Sequence, residues 1–176
     1  MKIKVVGIDP GLADTGIGIV EGSHLAVERY AFGSIKTSQK DHQSLRLEKI
    51  YTRLCDLFVN EKPDLIVIED VFSLDRYPKS GILLGKVCGA ILLASRKAES
   101  SVKEVAVREA KQVLTGNGNA TKDQLEKAVR KMLGCRQPIR PYHASDALGL
   151  ALIGLFRYGS GSCQARNDVC SDEGQH

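Results

Sequence analysis

Four residues of this sequence combine metal-binding chemistry with telling positions. Asp9 ends the apolar run from Ile3 to Ile8, and Glu69 ends the run from Leu65 to Ile68. His143 and Asp146 stand three residues apart at the head of a long apolar segment, on one face of its first turn. Burying carboxylates is costly unless they are paired or bound to a metal. Oxygens from Asp9, Glu69 and Asp146 with an imidazole from His143 suit Mg²⁺ or Mn²⁺. Two such ions activate a water and stabilise the leaving oxygen of a phosphodiester, so no serine or cysteine nucleophile is needed. Each residue also has a plainer use. An acid after a strand is commonly a turn or cap residue, and negative charge at a helix start is favourable by about 0.3–1 kcal/mol. Convergence from three separate elements is what favours the metal reading.

The elements that must position these residues follow from the pattern. Lys2 to Asp9 predicts a strand rich in β-branched residues, stopped by Pro10-Gly11. Thr15 to Val20 predicts a second strand, thin in side chains on one face because of Gly16 and Gly18. A turn at Glu21-Gly22-Ser23 leads to a third, His24 to Lys36. From Asp41 to Asn60, Leu47, Ile50, Tyr51, Leu54, Leu57 and Phe58 recur at helical spacing, until Lys62-Pro63. Asp64 to Glu69 reads as a central parallel strand covered on both faces. A helix from Pro78 to Lys97, a strand from Val102 to Val107 and a short helix from Arg108 to Leu114 follow. Next come a helix from Thr121 to Leu133, with Thr121 its cap, and a last helix from Tyr142 to Tyr158. This order predicts an α/β fold, a mixed five-stranded sheet flanked by helices on both faces. Ligands collect at the carboxyl ends of parallel strands, which is where Asp9 and Glu69 fall.

A chain of 176 residues with 43% apolar content suits one domain. We expect that domain to span residues 1–158, with 159–176 a disordered tail almost free of large apolar residues. The longest apolar stretch, Ile82 to Ala94, is interrupted by Lys86 and is too short for a membrane span. No secretory signal is evident, and the expectation is a cytoplasmic protein without membrane association. Cys55, Cys88, Cys135, Cys163 and Cys170 form no CxxC pair and are expected to be reduced thiols. The net charge of +4 is modest. It divides unevenly: residues 103–140 hold nine basic and four acidic side chains, a local surplus suited to a phosphate-facing surface, although such runs are commonly solvated helix faces.

Four strings in fixed order carry a family resemblance. GIDPGLADTGIGIV (Gly7 to Val20), VIEDVF (Val67 to Phe72), AVREAKQVLTGNGNATKDQLEKAV (Ala106 to Val129) and HASDALGLA (His143 to Ala151) resemble the RuvC family of bacterial Holliday junction resolvases, over roughly residues 1–158. The resemblance implies a ribonuclease H-like fold, a homodimer, and symmetric metal-dependent nicking of four-way junction DNA with two Mg²⁺ per subunit, or Mn²⁺ in their place. It further implies RuvA and RuvB as branch-migration partners. By matching motif, Asp9, Glu69 and Asp146 correspond to catalytic metal-binding carboxylates. His143 is a departure, since many members have an aspartate there. Its softer nitrogen donor shifts the expected preference toward Mn²⁺.

The resemblance also implies that Phe72 stacks on unpaired bases, where composition alone would place it in the core. Lys111 and Lys122 match lysines that contact phosphates. Gly81, Gly85 and Gly89 lie four apart on one helix face, with Ile82, Leu92 and Leu93 nearby. That face is the candidate dimer contact, the alternative being packing on the chain's own sheet. Two other functions compete: an actin-like or sugar-kinase ATPase, which needs a second lobe that 176 residues do not provide, and a DNA-binding module without catalysis.

Overall fold

The computed structural model describes residues 1–23, 26–70 and 78–159. Five strands, β1 (Ile3–Asp9), β2 (Asp14–Ser23), β3 (Ala26–Lys36), β4 (Leu65–Glu69) and β5 (Ser101–Val105), form one sheet in the order β3-β2-β1-β4-β5. The β1–β2 and β2–β3 pairs are antiparallel, and β1–β4 and β4–β5 are parallel. Among the described residues, five helices complete the fold: α1 (Gln43–Glu61), α2 (Pro78–Lys97), α3 (Val107–Thr115), α4 (Lys122–Met132) and α5 (Tyr142–Tyr158).

Alternation along the central strands divides the core in two. Val5, Leu65 and Val67 face α5, while Val6, Ile8, Ile66 and Ile68 face the opposite way. Ile50, Leu54 and Phe58 of α1, with Val87, Ile91 and Ala94 of α2, cover the second face. The α5 helix is buried almost throughout from Ala144 to Leu155, because the sheet lies on one side and Leu114 of α3 with Leu125 and Val129 of α4 lie on the other. A helix covered all round needs an apolar sequence all round.

Glycines set how closely α5 approaches the sheet. A Cβ on Gly7 would fall 2.0 Å from the carbonyl oxygen of Ala147, and one on Gly16 would fall 2.1 Å from that of His143. The bare face of β2 is therefore the seat of α5, and it brings the start of that helix against the end of β1.

Most predicted elements stand within one or two residues of their expected bounds, but the first hairpin differs. Glu21, Gly22 and Ser23 continue β2 instead of turning, with a register irregularity between Glu21 and Gly22. Turn-forming composition there is outweighed by pairing with Ala26, Val27 and Arg29. β5 ends at Val105 because Ala106 caps α3. Thr121 caps α4 through a reciprocal box with Gln124. Within α4, Met132 is exposed and leaves Leu125 and Val129 as the buried stripe. The predicted tail from residue 160 onward lies outside the described residues.

Candidate active site

Asp9 and Glu69 end adjacent parallel strands, whose register pairs Ile8 with Ile68. The two carboxyls consequently emerge side by side, close enough for a hydrogen bond between them. From above, α5 presents His143 and Asp146. His143 Nδ1 lies 2.6 Å from Asp9 Oδ2. A carboxylate only accepts, so Nδ1 carries the proton and Nε2 is left as the ring's second donor atom. The structure thus brings together all four residues singled out by sequence.

Crowding shifts their protonation. Burial pushes the Glu69 carboxyl up to about 9, assisted by its hydrogen bond to Asp9 and the charges of Asp9 and Asp146. Burial also raises Asp146 to about 6, with Asp9 adding to the effect and Lys122, His143 and Lys111 opposing it. The hydrogen bond to Asp9 raises the pKa of His143 against the opposing effect of burial. Glu69 is thus neutral at pH 7 while the site contains protein groups alone.

This donor set fits a hard divalent cation. The charges of Asp9 and Asp146 both reach Glu69, and Asp146 Oδ1 is buried with no hydrogen-bond partner. Among the described residues, however, no three His, Cys, Asp or Glu side chains are placed to grip one ion together. Asp9 Oδ2 is engaged by His143, and Glu69 holds a proton. Ligation requires these side chains to close around the cation and Glu69 to lose its proton.

Lysines rim the site. Lys122, exposed at the first position of α4, places Nζ 3.9 Å from Asp146 Oδ2. Lys111 on α3 is half-buried and close enough to lower the Asp146 carboxyl. Sequence reasoning missed Asp14, whose charge raises His143 and whose Oδ1 is buried without a hydrogen-bond partner. Its signal was an acid directly before the Thr15-Gly16 step, where α5 docks. Phe72 lies outside the described residues.

The glycines of α2 lie elsewhere. Beyond the nearby turns of α2 itself, neither Gly85 nor Gly89 has an atom within 4 Å of where a Cβ would stand, so these two do not pack on the chain's own sheet. Gly81 is half-buried one turn earlier. Ile82 and Leu93 are each 66% exposed beside them.

Comparison with known proteins decides the family. The family described as "Crossover junction endodeoxyribonuclease RuvC" matches residues 5–154. The chain belongs to the RuvC family. A crossover junction endodeoxyribonuclease RuvC of Caldicellulosiruptor saccharolyticus is 37% identical over 161 residues, covering 90% of this chain and 95% of that protein. RuvC of Thermus thermophilus in complex with a Holliday junction substrate superposes with a TM-score of 0.83 at 30% identity, covering 89% of this chain and 95% of that one. A second Thermus thermophilus RuvC structure gives 0.78 at 32% identity, with 88% and 94% covered. The fold is accordingly ribonuclease H-like, as the motifs implied, and the chain is matched along nearly its whole RuvC length. A two-lobed ATPase is excluded by the same match.

Proposed function

We propose that this RuvC-family chain resolves four-way DNA junctions by metal-dependent hydrolysis, with Asp9, Glu69, His143 and Asp146 as the catalytic ligands. The observation that carries the reading is the meeting of these four side chains at the carboxyl ends of β1 and β4. In the reaction, water adds to phosphorus and the bond to the leaving oxygen breaks. Mg²⁺, two per subunit, would supply an activated water and stabilise the leaving oxygen, with Mn²⁺ favoured to the extent that His143 donates. Asp9, Glu69 and Asp146 would hold the metal, and His143 would do so through Nε2 while Nδ1–H is oriented by a carboxylate.

Around that centre, Lys122 and Lys111 would bind phosphates as point charges, and Phe72 would stack on a base at the crossover. A second copy would cover Ile82, Leu93 and the open backbone at Gly85 and Gly89. Such a pair has two-fold symmetry, which matches two symmetric nicks in a four-way junction. RuvA and RuvB as partners, a cytoplasmic location and a nuclease domain over residues 1–158 belong to the same reading. No helix among the described residues is long and apolar enough to cross a membrane.

A synthetic four-way junction incubated with the protein, with Mg²⁺, Mn²⁺ or EDTA, tests this. Paired symmetric nicks that require metal and vanish in Asp146→Asn support it. Junction binding without cleavage under any metal would instead assign a non-catalytic module.

A further inference from the structure

Three contacts run from α4 to the stretch of chain that delivers His143 and Asp146. Glu126, only 4% exposed, accepts the backbone N–H of Ile139 at 3.0 Å. Asp123 Oδ1 accepts the hydroxyl of Tyr142 at 2.5 Å. Lys122 faces Asp146, as described. These residues occupy the first turn and a half of α4, so one helix edge grips positions 139, 142 and 146 in succession. Arg130 braces the arrangement: Nε lies 3.3 Å from Glu126 Oε1, and Nη1 donates to the carbonyl of Arg136 at 3.4 Å.

A buried carboxylate is costly unless its oxygens are hydrogen-bonded. What Glu126 does that an apolar residue cannot is fix a backbone N–H four residues before His143. Ile139 is itself fully buried, so that N–H has no water to turn to. The Thr121 capping box makes the gripping end of α4 firm.

We propose that Glu126 and Asp123 are positioning residues that clamp the start of α5, keeping His143 in reach of Asp9. Neither touches the reacting atoms. The inference rests on the junction-cleaving reading, and a readout that does not need cleavage separates the two.

The experiment compares Glu126→Ala, Glu126→Gln and Tyr142→Phe with wild type. It measures single-turnover junction cleavage in Mn²⁺, junction affinity in EDTA, and amide hydrogen exchange at Ile139 and Ala144 by NMR. A small misplacement of a catalytic group costs up to about a hundredfold in rate. Glu126→Ala should therefore cut about ten- to a hundredfold more slowly, with affinity within about twofold and faster exchange at both amides. Glu126→Gln keeps an acceptor oxygen and should return to within about threefold of wild type. Tyr142→Phe, a surface change that leaves the core intact, should slow cleavage a few-fold. The clamp is overturned by unchanged exchange at Ile139 in Glu126→Ala, by equal losses in the Ala and Gln variants, or by a loss that affinity accounts for entirely. Should Glu126→Ala fail to fold, wild-type rate and exchange in Tyr142→Phe overturn it. If wild type cuts no junction, the functional reading fails, while exchange in the variants still decides the clamp.

Discussion

His143 Nδ1 and Asp9 Oδ2 stand 2.6 Å apart, joining the last helix to the first strand across 134 residues of sequence. The bond favours the charged imidazolium, so the ring holds its proton to a higher pH than an ordinary histidine. A protonated ring cannot ligate through Nε2. The acid limb of cleavage should therefore begin above the ordinary histidine pKa of about 6.5. In His143→Asp it should move to lower pH, and the rate ratio of Mn²⁺ to Mg²⁺ should fall. Single-turnover rates from pH 5.5 to 8.5 with each metal check both, and coincident acid limbs would refute ligation by His143.

Glu69 makes the site a source of instability in the metal-free protein. Its folded pKa of about 9 exceeds the ordinary value of 4.5 because burial and neighbouring acids disfavour its charge. The folded state thus binds a proton that the unfolded state releases, and stability falls as pH rises from about 4.5 toward 9. Glu69→Gln removes that dependence. At pH 8 in EDTA it should be more stable than wild type by about 1–3 kcal/mol while losing cleavage. Thermal unfolding of both proteins at pH 5 and pH 8 tests this, the gap opening only at the higher pH.

Gly16 links fold to site. An added methyl would meet the carbonyl of His143, backbone that can yield only if α5 lifts. Gly16→Ala should cost about 1–3 kcal/mol or more, as overpacking does. Cleavage should fall further than the lost folded fraction explains, because His143 and Asp146 move away from Asp9 together. Urea unfolding alongside single-turnover cleavage separates these effects.

Much of this arrangement was legible before any coordinates. α2 and α5 have the bounds expected of them, Pro78 opening the first and Pro141 and Gly159 flanking the second. Adjacency of Asp9 and Glu69 follows once both runs are read as parallel neighbours, because register then leaves the acids side by side. The Glu21 to Ser23 segment was misread because local turn chemistry yields to a partner strand that sequence does not display. Asp14 and Glu126 stayed hidden for a related reason. Each is an unremarkable polar residue in its own element, and only tertiary contact with α5 or the chain before it makes it part of the site.

Lys122 should act on DNA more than on stability. Its side chain is 60% exposed and its ion pair with Asp146 spans 3.9 Å, a geometry that contributes little to folding. Removing it also withdraws a charge that holds the Asp146 carboxyl down. Lys122→Ala should bind junctions more weakly at every sequence, with the salt dependence of log K reduced by about one counterion. Its melting temperature should stay near wild type. Titrations between about 50 and 200 mM salt give the slope, and an unchanged slope removes Lys122 from the phosphate contacts.

Gly85 offers the sharpest test of the pairing face. A Cβ there stands in open space within the subunit, and Gly85 is exposed, so Gly85→Arg has room to fold as a single chain. A charged side chain between two apolar helix faces must be desolvated without a partner, which costs several kcal/mol at an interface. Placed beside Ile82 and Leu93, the substitution should convert a dimer to monomer at micromolar protein, by sedimentation equilibrium, while leaving the circular dichroism spectrum unchanged. The monomer should still nick a junction once but lose the pairing of the two nicks, because coordination needs the second site held across the crossover. A Gly85→Arg protein that remains dimeric and cuts symmetrically places the pairing surface away from this helix face.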